Sequence, residues 1–149
     1  MGPRLLGVRV AELRRAAGLL QTDLAEQLGT RDRRVSEWER GEQQPRPRHL
    51  VAIARALSVE PLSLLDVDQQ DPPVLALRLA AGLTIEELSR VSGVPRTTYL
   101  RLEAGVGRSE APENVLQALA SGLRVPQRQL RRALRRSRAE RDGSAVPQG

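Results

Sequence analysis

Apolar residues recur along this chain at the three-to-four residue spacing that lines one face of a helix. In VRVAELRRAA, residues 8–17, the face is Val10, Leu13 and Ala17, and Gly18–Leu19 interrupts it. QTDLAEQL follows with Leu24, Ala25 and Leu28 on one side. After a turn at Gly29–Thr30, Val35 and Trp38 share the next face; Thr30 suits an N-cap and Gly41 a helix end. Residues 41–47, GEQQPRP, form a loop because two prolines bar helix continuation. The period resumes through Leu50, Ile53, Ala54 and Leu57, and a short fifth segment starts with Pro61 at its first turn. DVDQQDPP, residues 66–73, then reads as an acidic, proline-containing linker.

Beyond the linker the pattern begins again. Ala16-Ala17-Gly18-Leu19 returns as Ala80-Ala81-Gly82-Leu83, and Leu24, Gly29, Glu39 and Gly41 return as Leu88, Gly93, Glu103 and Gly105. These pairs all stand 64 positions apart. The offset then becomes 66, matching Leu50, Ala54, Leu57 and Val59 to Leu116, Ala120, Leu123 and Val125. One register held over so many positions is a tandem duplication. Past Val125, PQRQLRRALRRSRAERDG has helical spacing at Leu130 and Leu134 and fades into SAVPQG, which reads as disordered.

Composition narrows the chemistry. One Trp, one Tyr and no Phe suit a helical core of Leu, Val and Ala better than a β-sandwich. Without cysteine there is no disulfide or zinc–thiolate site, and one histidine, His49, cannot build a metal or catalytic cluster. With no Gly-rich phosphate loop either, no enzyme, cofactor or metal is expected. No apolar run approaches the roughly 18–20 residues of a membrane span, and the start lacks a secretory signal's apolar core. The expected location is cytoplasmic, at the nucleoid. The net charge is +6 and all 24 basic residues are arginine, a usage that GC-rich coding also produces. A basic balance favours an anionic partner. The helix pair of residues 21–41 turns Arg31, Arg33, Arg34, Glu37 and Arg40 away from Val35 and Trp38. Two such helices across a glycine turn suit insertion into a DNA major groove.

At Gln21, Leu24, Ala25, Gly29, Val35, Glu39 and Gly41 the chain resembles the Cro-like (Xre-like) phage-repressor family of helix-turn-helix domains, over about 60 residues twice. The resemblance implies an all-α fold: two tandem five-helix bundles plus a basic C-terminal helix. The expected domains are 1–65 and 74–134, with 66–73 as linker and 135–149 as helix end and tail. It implies that Asp32, Arg33 and Glu37 read bases, with Arg33 suited to guanine and the carboxylates to cytosine. Gln21 resembles the family's phosphate clamp at a helix start, and Arg31, Arg34 and Arg40 would hold phosphates. Arg14 with Glu39, repeated as Arg78 with Glu103, corresponds to the family's ion pair that sets the angle of the third helix. Trp38 reads as core and His49 as a surface or capping residue.

The second copy departs from this pattern. Thr84 and Glu87 form a capping box, but Ile85 replaces Gln21, Ser92 replaces Leu28 and Tyr99 stands where Val35 does. Its outward positions, Arg96, Thr97 and Arg101, suit base and phosphate contacts; the copy either touches DNA or serves as a packing or dimerisation module. The basic terminal helix is a solvated face, a DNA-backbone clamp, or a dimer helix through Leu130 and Leu134. Double-stranded DNA is the expected partner, and the expected role is a sequence-specific transcriptional regulator acting as a repressor. A linker of about eight residues extends to roughly 25 Å, so one chain could place both copies on one site, or a homodimer could do so. The alternative is an antitoxin-like module that binds a protein partner and has weak or no DNA specificity.

Overall fold

The apolar faces close on one another twice, in two helical clusters joined through a common helix. The computed structural model describes residues 2–107 and 110–145. Its elements are α1 (Gly7–Ala16), α2 (Gln21–Leu28), α3 (Asp32–Glu39), α4 (Pro47–Ala56) and a 3-10 turn at Pro61–Leu64. The second set is α5 (Val74–Ala80), α6 (Ile85–Ser92), α7 (Arg96–Glu103), α8 (Glu113–Leu123) and α9 (Gln127–Ala145). Among the described residues there is no strand beyond a single bridge, Leu5 with Leu65, and no helix is long and apolar enough to cross a membrane.

The first core gathers Leu24, Val35, Trp38, Ile53 and Leu64; the second gathers Leu88, Tyr99, Leu119, Leu130 and Leu134. Helix α5 belongs to both. Its Ala76 sits in the first core with Leu79 packed beside it, while Val74 and Leu77 face the second. On a helix, residues three apart share a side and residues two apart point to different ones, so one short helix can serve two cores.

The stretch 66–73, expected to act as a tether, is held along its length. Pro72 is buried, and Val67 packs on the first core. The Asp66 amide donates to the Arg4 carbonyl at 2.8 Å. From α9, the Arg136 guanidinium bonds the Asp71 carbonyl and lies 3.7 Å from its carboxylate. Turn-forming residues read as free linker because their partners come from distant segments.

Three further expectations are corrected. Leu130 and Leu134 are buried in the second core, so they do not form a dimer stripe. Thr30 does not cap α3: the N-cap is Arg31, and the Asp32 carboxylate accepts from the Arg33 amide at 2.9 Å. Finally, α9 runs unbroken through position 134 to Ala145, into the stretch read as disordered; residues 146–149 lie outside the described ones.

Candidate nucleic-acid interface

Arg14 anchors the first copy. Its Nε and Nη2 donate to the two Glu39 oxygens at 2.7 and 3.0 Å, and its Nη1 donates to the Leu19 carbonyl at 2.9 Å. Both side chains are at most 7 % exposed. The bond to Glu39 holds the guanidinium above its ordinary range against the opposing effect of burial. This pair joins α1 to the last turn of α3. Gln21 joins it as well, donating from Nε2 to Glu39 Oε1 at 3.0 Å. The side-chain amide of Gln21 is therefore tied to the buried network, at the very start of α2.

Held this way, α3 buries Val35 and Trp38 and exposes Arg31, Asp32, Arg33 and Arg34. Arg33 is 87 % exposed and rests on Glu37, Nε to Oε1 3.1 Å. Asp32 and Glu37 thus both bond within α3 and orient its charged face. Arg40 is also exposed and pairs with Glu42 at 3.2 Å. A groove along Gly29, Thr30, Arg31, Arg33, Arg34 and Glu37 meets a second one, which Arg34 and Glu37 share with Gln43, Gln44, Arg46 and His49. The two form one continuous face on which arginines outnumber acids.

The contribution of the α3–α4 loop to this face is not evident from the sequence. Its only local signal was an arginine, Arg46, between two prolines that hold it at the start of α4. His49, beside the start of α4, is half-buried and lines the same groove. Its ring lies against Trp38, centroids 5.3 Å apart and planes tilted 43°. Burial, then Arg48, Arg34 and Arg46, push its pKa down, and its Nδ1 is buried with no hydrogen-bond partner among the described residues.

The second copy repeats the anchor in looser form. Arg78 Nε donates to the Tyr99 hydroxyl at 3.3 Å and lies 3.6 Å from Glu103 Oε2, while Nη1 donates to the Leu83 carbonyl at 3.0 Å. Burial first, and the adjacent Glu103 second, push the Tyr99 phenol far up. The phenol demanded by the larger side chain thus finds its partner in the ion-pair position. On α7, Thr97 and Arg101 are exposed, and Arg96 pairs with Glu86 at 3.1 Å. The start of α6, where the first copy has Gln21, carries two carboxylates. Glu86 is held low by its own backbone amide and then Arg96, and Glu87 by the Thr84 amide and hydroxyl. Both capping-box bonds are 3.1 Å.

Helix α9 spends much of its charge internally. Arg131, Arg135 and Arg138 converge on Glu110 at 3.7, 3.3 and 3.7 Å. Arg131 also meets Glu113, and Arg136 meets Glu140 at 2.8 Å.

Against known proteins, the model of a family described as helix-turn-helix (HTH_3) matches twice, over residues 10–64 and 74–126. Repressor protein C2 of Salmonella phage P22 is 32% identical over 68 residues. That alignment covers 46% of this chain and 32% of the relative, so the match spans about a third of the relative's length. No solved structure matches significantly.

Proposed function

This chain belongs to the helix-turn-helix family of DNA-binding regulators, and from that premise we propose that it is a sequence-specific repressor that reads its operator chiefly through α3. The observation that carries this reading is the buried Arg14–Glu39–Gln21 network, which fixes an arginine-rich α3 with its apolar side inward. In this reading α3 enters the major groove, and Arg33 swings from Glu37 to the N7 and O6 edge of a guanine. Asp32 and Glu37 orient it or accept from a cytosine amine. Arg31, Arg34 and Arg40 neutralise backbone phosphates, joined by Arg46 on the adjoining loop. Gln21 serves from the start of α2, where unpaired amides favour a phosphate. Repression follows from occupying a promoter; the phage P22 relative is itself named a repressor.

The second copy is the weaker reader. Glu86 and Glu87 repel a phosphate at the start of α6, and Arg96 must leave Glu86 before it reaches a base. Thr97 and Arg101 are its free contacts. If α7 does read DNA, its half-site differs from that of α3. The same acidic helix start favours a second reading, in which this copy packs against a protein partner and adds little to DNA recognition.

Selection of bound sequences from random double-stranded DNA tests the proposal. An enriched motif is expected, and Arg33→Ala should weaken it by about 1–3 kcal/mol and relax preference at one base pair. Uniform weakening on all sequences would move Arg33 to a phosphate role. Salt-labile binding with no motif would sink the repressor reading.

A further inference from the structure

We propose that the groove between the two repeats is a binding site for phosphate groups, built by Arg48 and Arg55 of α4 and by Arg124 at the end of α8. The groove measures about 540 Å³ and lies where the α5–α6 turn meets α4. Arg48 and Arg55 are seven residues apart, two helical turns, and so stand on one face of α4 about 10 Å apart along its axis. Arg124 comes from the other repeat. Among the described residues no acidic side chain lines the groove.

These three guanidiniums differ from those of α9. Arg131, Arg135, Arg136 and Arg138 each have a carboxylate partner. Among the described residues the side chains of Arg48, Arg55 and Arg124 make no hydrogen bond or ion pair, and all three residues are exposed. Arg48 also helps to hold the Glu87 carboxyl of α6 low, behind the Thr84 amide and hydroxyl and Arg90. Even with that carboxylate counted, three positive charges face one negative. Planar guanidinium forks match phosphate oxygens two at a time, and three of them around a concave floor exceed what a single surface arginine provides.

Comparing the repeats shows that the charge is peculiar to this place. Arg124 corresponds to Ser58, and both residues adopt the left-handed conformation, φ 59 and 58. The backbone turn is therefore common to the repeat, while at this position the guanidinium occurs only in the second copy, where the turn lines the groove. Val91, 59 % exposed, supplies an apolar rim for the remainder of a phosphate-bearing molecule. A ligand held by α4 and α8 together binds only when the repeats keep this arrangement. Its binding would stabilise that arrangement by mass action.

Phosphate could come from the DNA backbone beside the site read by α3, or from a free phosphorylated compound. The site itself does not depend on the α3 reading, because inorganic pyrophosphate can probe it without DNA. Full-length chain titrated with pyrophosphate at low salt should show saturable binding of one ion per chain. Arg55→Gln with Arg124→Asn should weaken it at least ten-fold; asparagine tolerates the left-handed backbone, and a matching helical circular-dichroism melt checks the fold. Arg9→Gln with Arg15→Gln removes the same charge from exposed positions of α1 and should leave binding within two-fold. Absent saturation, an unaffected groove variant, or equal loss in both variants would overturn the site. DNA binding then separates the sources. A groove variant whose affinity falls on every sequence, with a salt slope shallower by about 2, marks backbone phosphate. Unchanged DNA affinity beside lost pyrophosphate binding marks a free ligand.

Discussion

Arg14 and Glu39 occupy the position at which one side chain governs the presentation of a whole helix. With Glu39 truncated, the Arg14 guanidinium would stay buried with only the Leu19 carbonyl for company. Breaking a buried pair by removing one partner costs about 3–5 kcal/mol, so Glu39→Ala should lower stability by that order in denaturant titrations. Glu103→Ala should be milder, because its pair is longer, more exposed and shared with Tyr99. Equal losses would mean that the second anchor is as stringent as the first. His49 makes a pH-dependent contribution. Unfolded, its imidazole titrates near the ordinary value of about 6.5; folded, burial and then three arginines lower it. Between the two values the unfolded chain binds more protons, so stability is fully present above about pH 6.5 and falls as pH drops through that window. Melting temperature followed from pH 8 to 5 should show this loss in the wild type, and His49→Gln should remove that part of it.

At the level of elements, glycine positions report which helices meet. At Gly105, φ is +73, and a Cβ would lie 2.3 Å from the Ser137 carbonyl oxygen of α9. The first copy's equivalent, Gly41, has φ +74 and open space around it. Gly105→Ala should therefore be strongly destabilising through α9 displacement, while Gly41→Ala carries only the backbone penalty of about 1–2 kcal/mol. Similar melting shifts for the two variants would show that α9 yields easily. This contrast was invisible in the sequence, where both glycines simply end a helix. The helices themselves were legible because their apolar faces are regular and their turns carry glycine and proline. The start of α3 differs from the expectation because Thr30 has the residue type of a cap, whereas backbone geometry sets Arg31 as the boundary.

For the whole molecule, the shared α5 matters most. Ala76 and Leu79 complete the first core while Val74 and Leu77 complete the second. The α5–α6 turn is seated as closely: a Cβ on Gly82, at φ +77, would lie 2.9 Å from Val51 Cγ2, whereas its counterpart Gly18 is open. The two repeats should therefore unfold in one transition under calorimetry, and a fragment of residues 1–73 should melt below the intact chain. Two resolved transitions, or a fragment as stable as the whole, would show that α5 couples the repeats only weakly. The same coupling implies that α3 and α7 keep a set relation, so any operator engaging both has a set spacing.

The sequence by itself determined that the chain is helical, that it is duplicated, and which residues of each copy face inward, because these depend on local periodicity and on repetition in register. It also pointed to Arg14 with Glu39 and to the arginines of α3, since a matched pattern carries such positions with it. Tertiary structure alone decided that Gln21 bonds Glu39, that Leu130 and Leu134 are core, and that residues 66–73 are held. It also brought Arg48 and Arg55 into one groove with Arg124. Each of these depends on partners far along the chain, 18 residues even for Gln21 and Glu39, and no local pattern contains that distance.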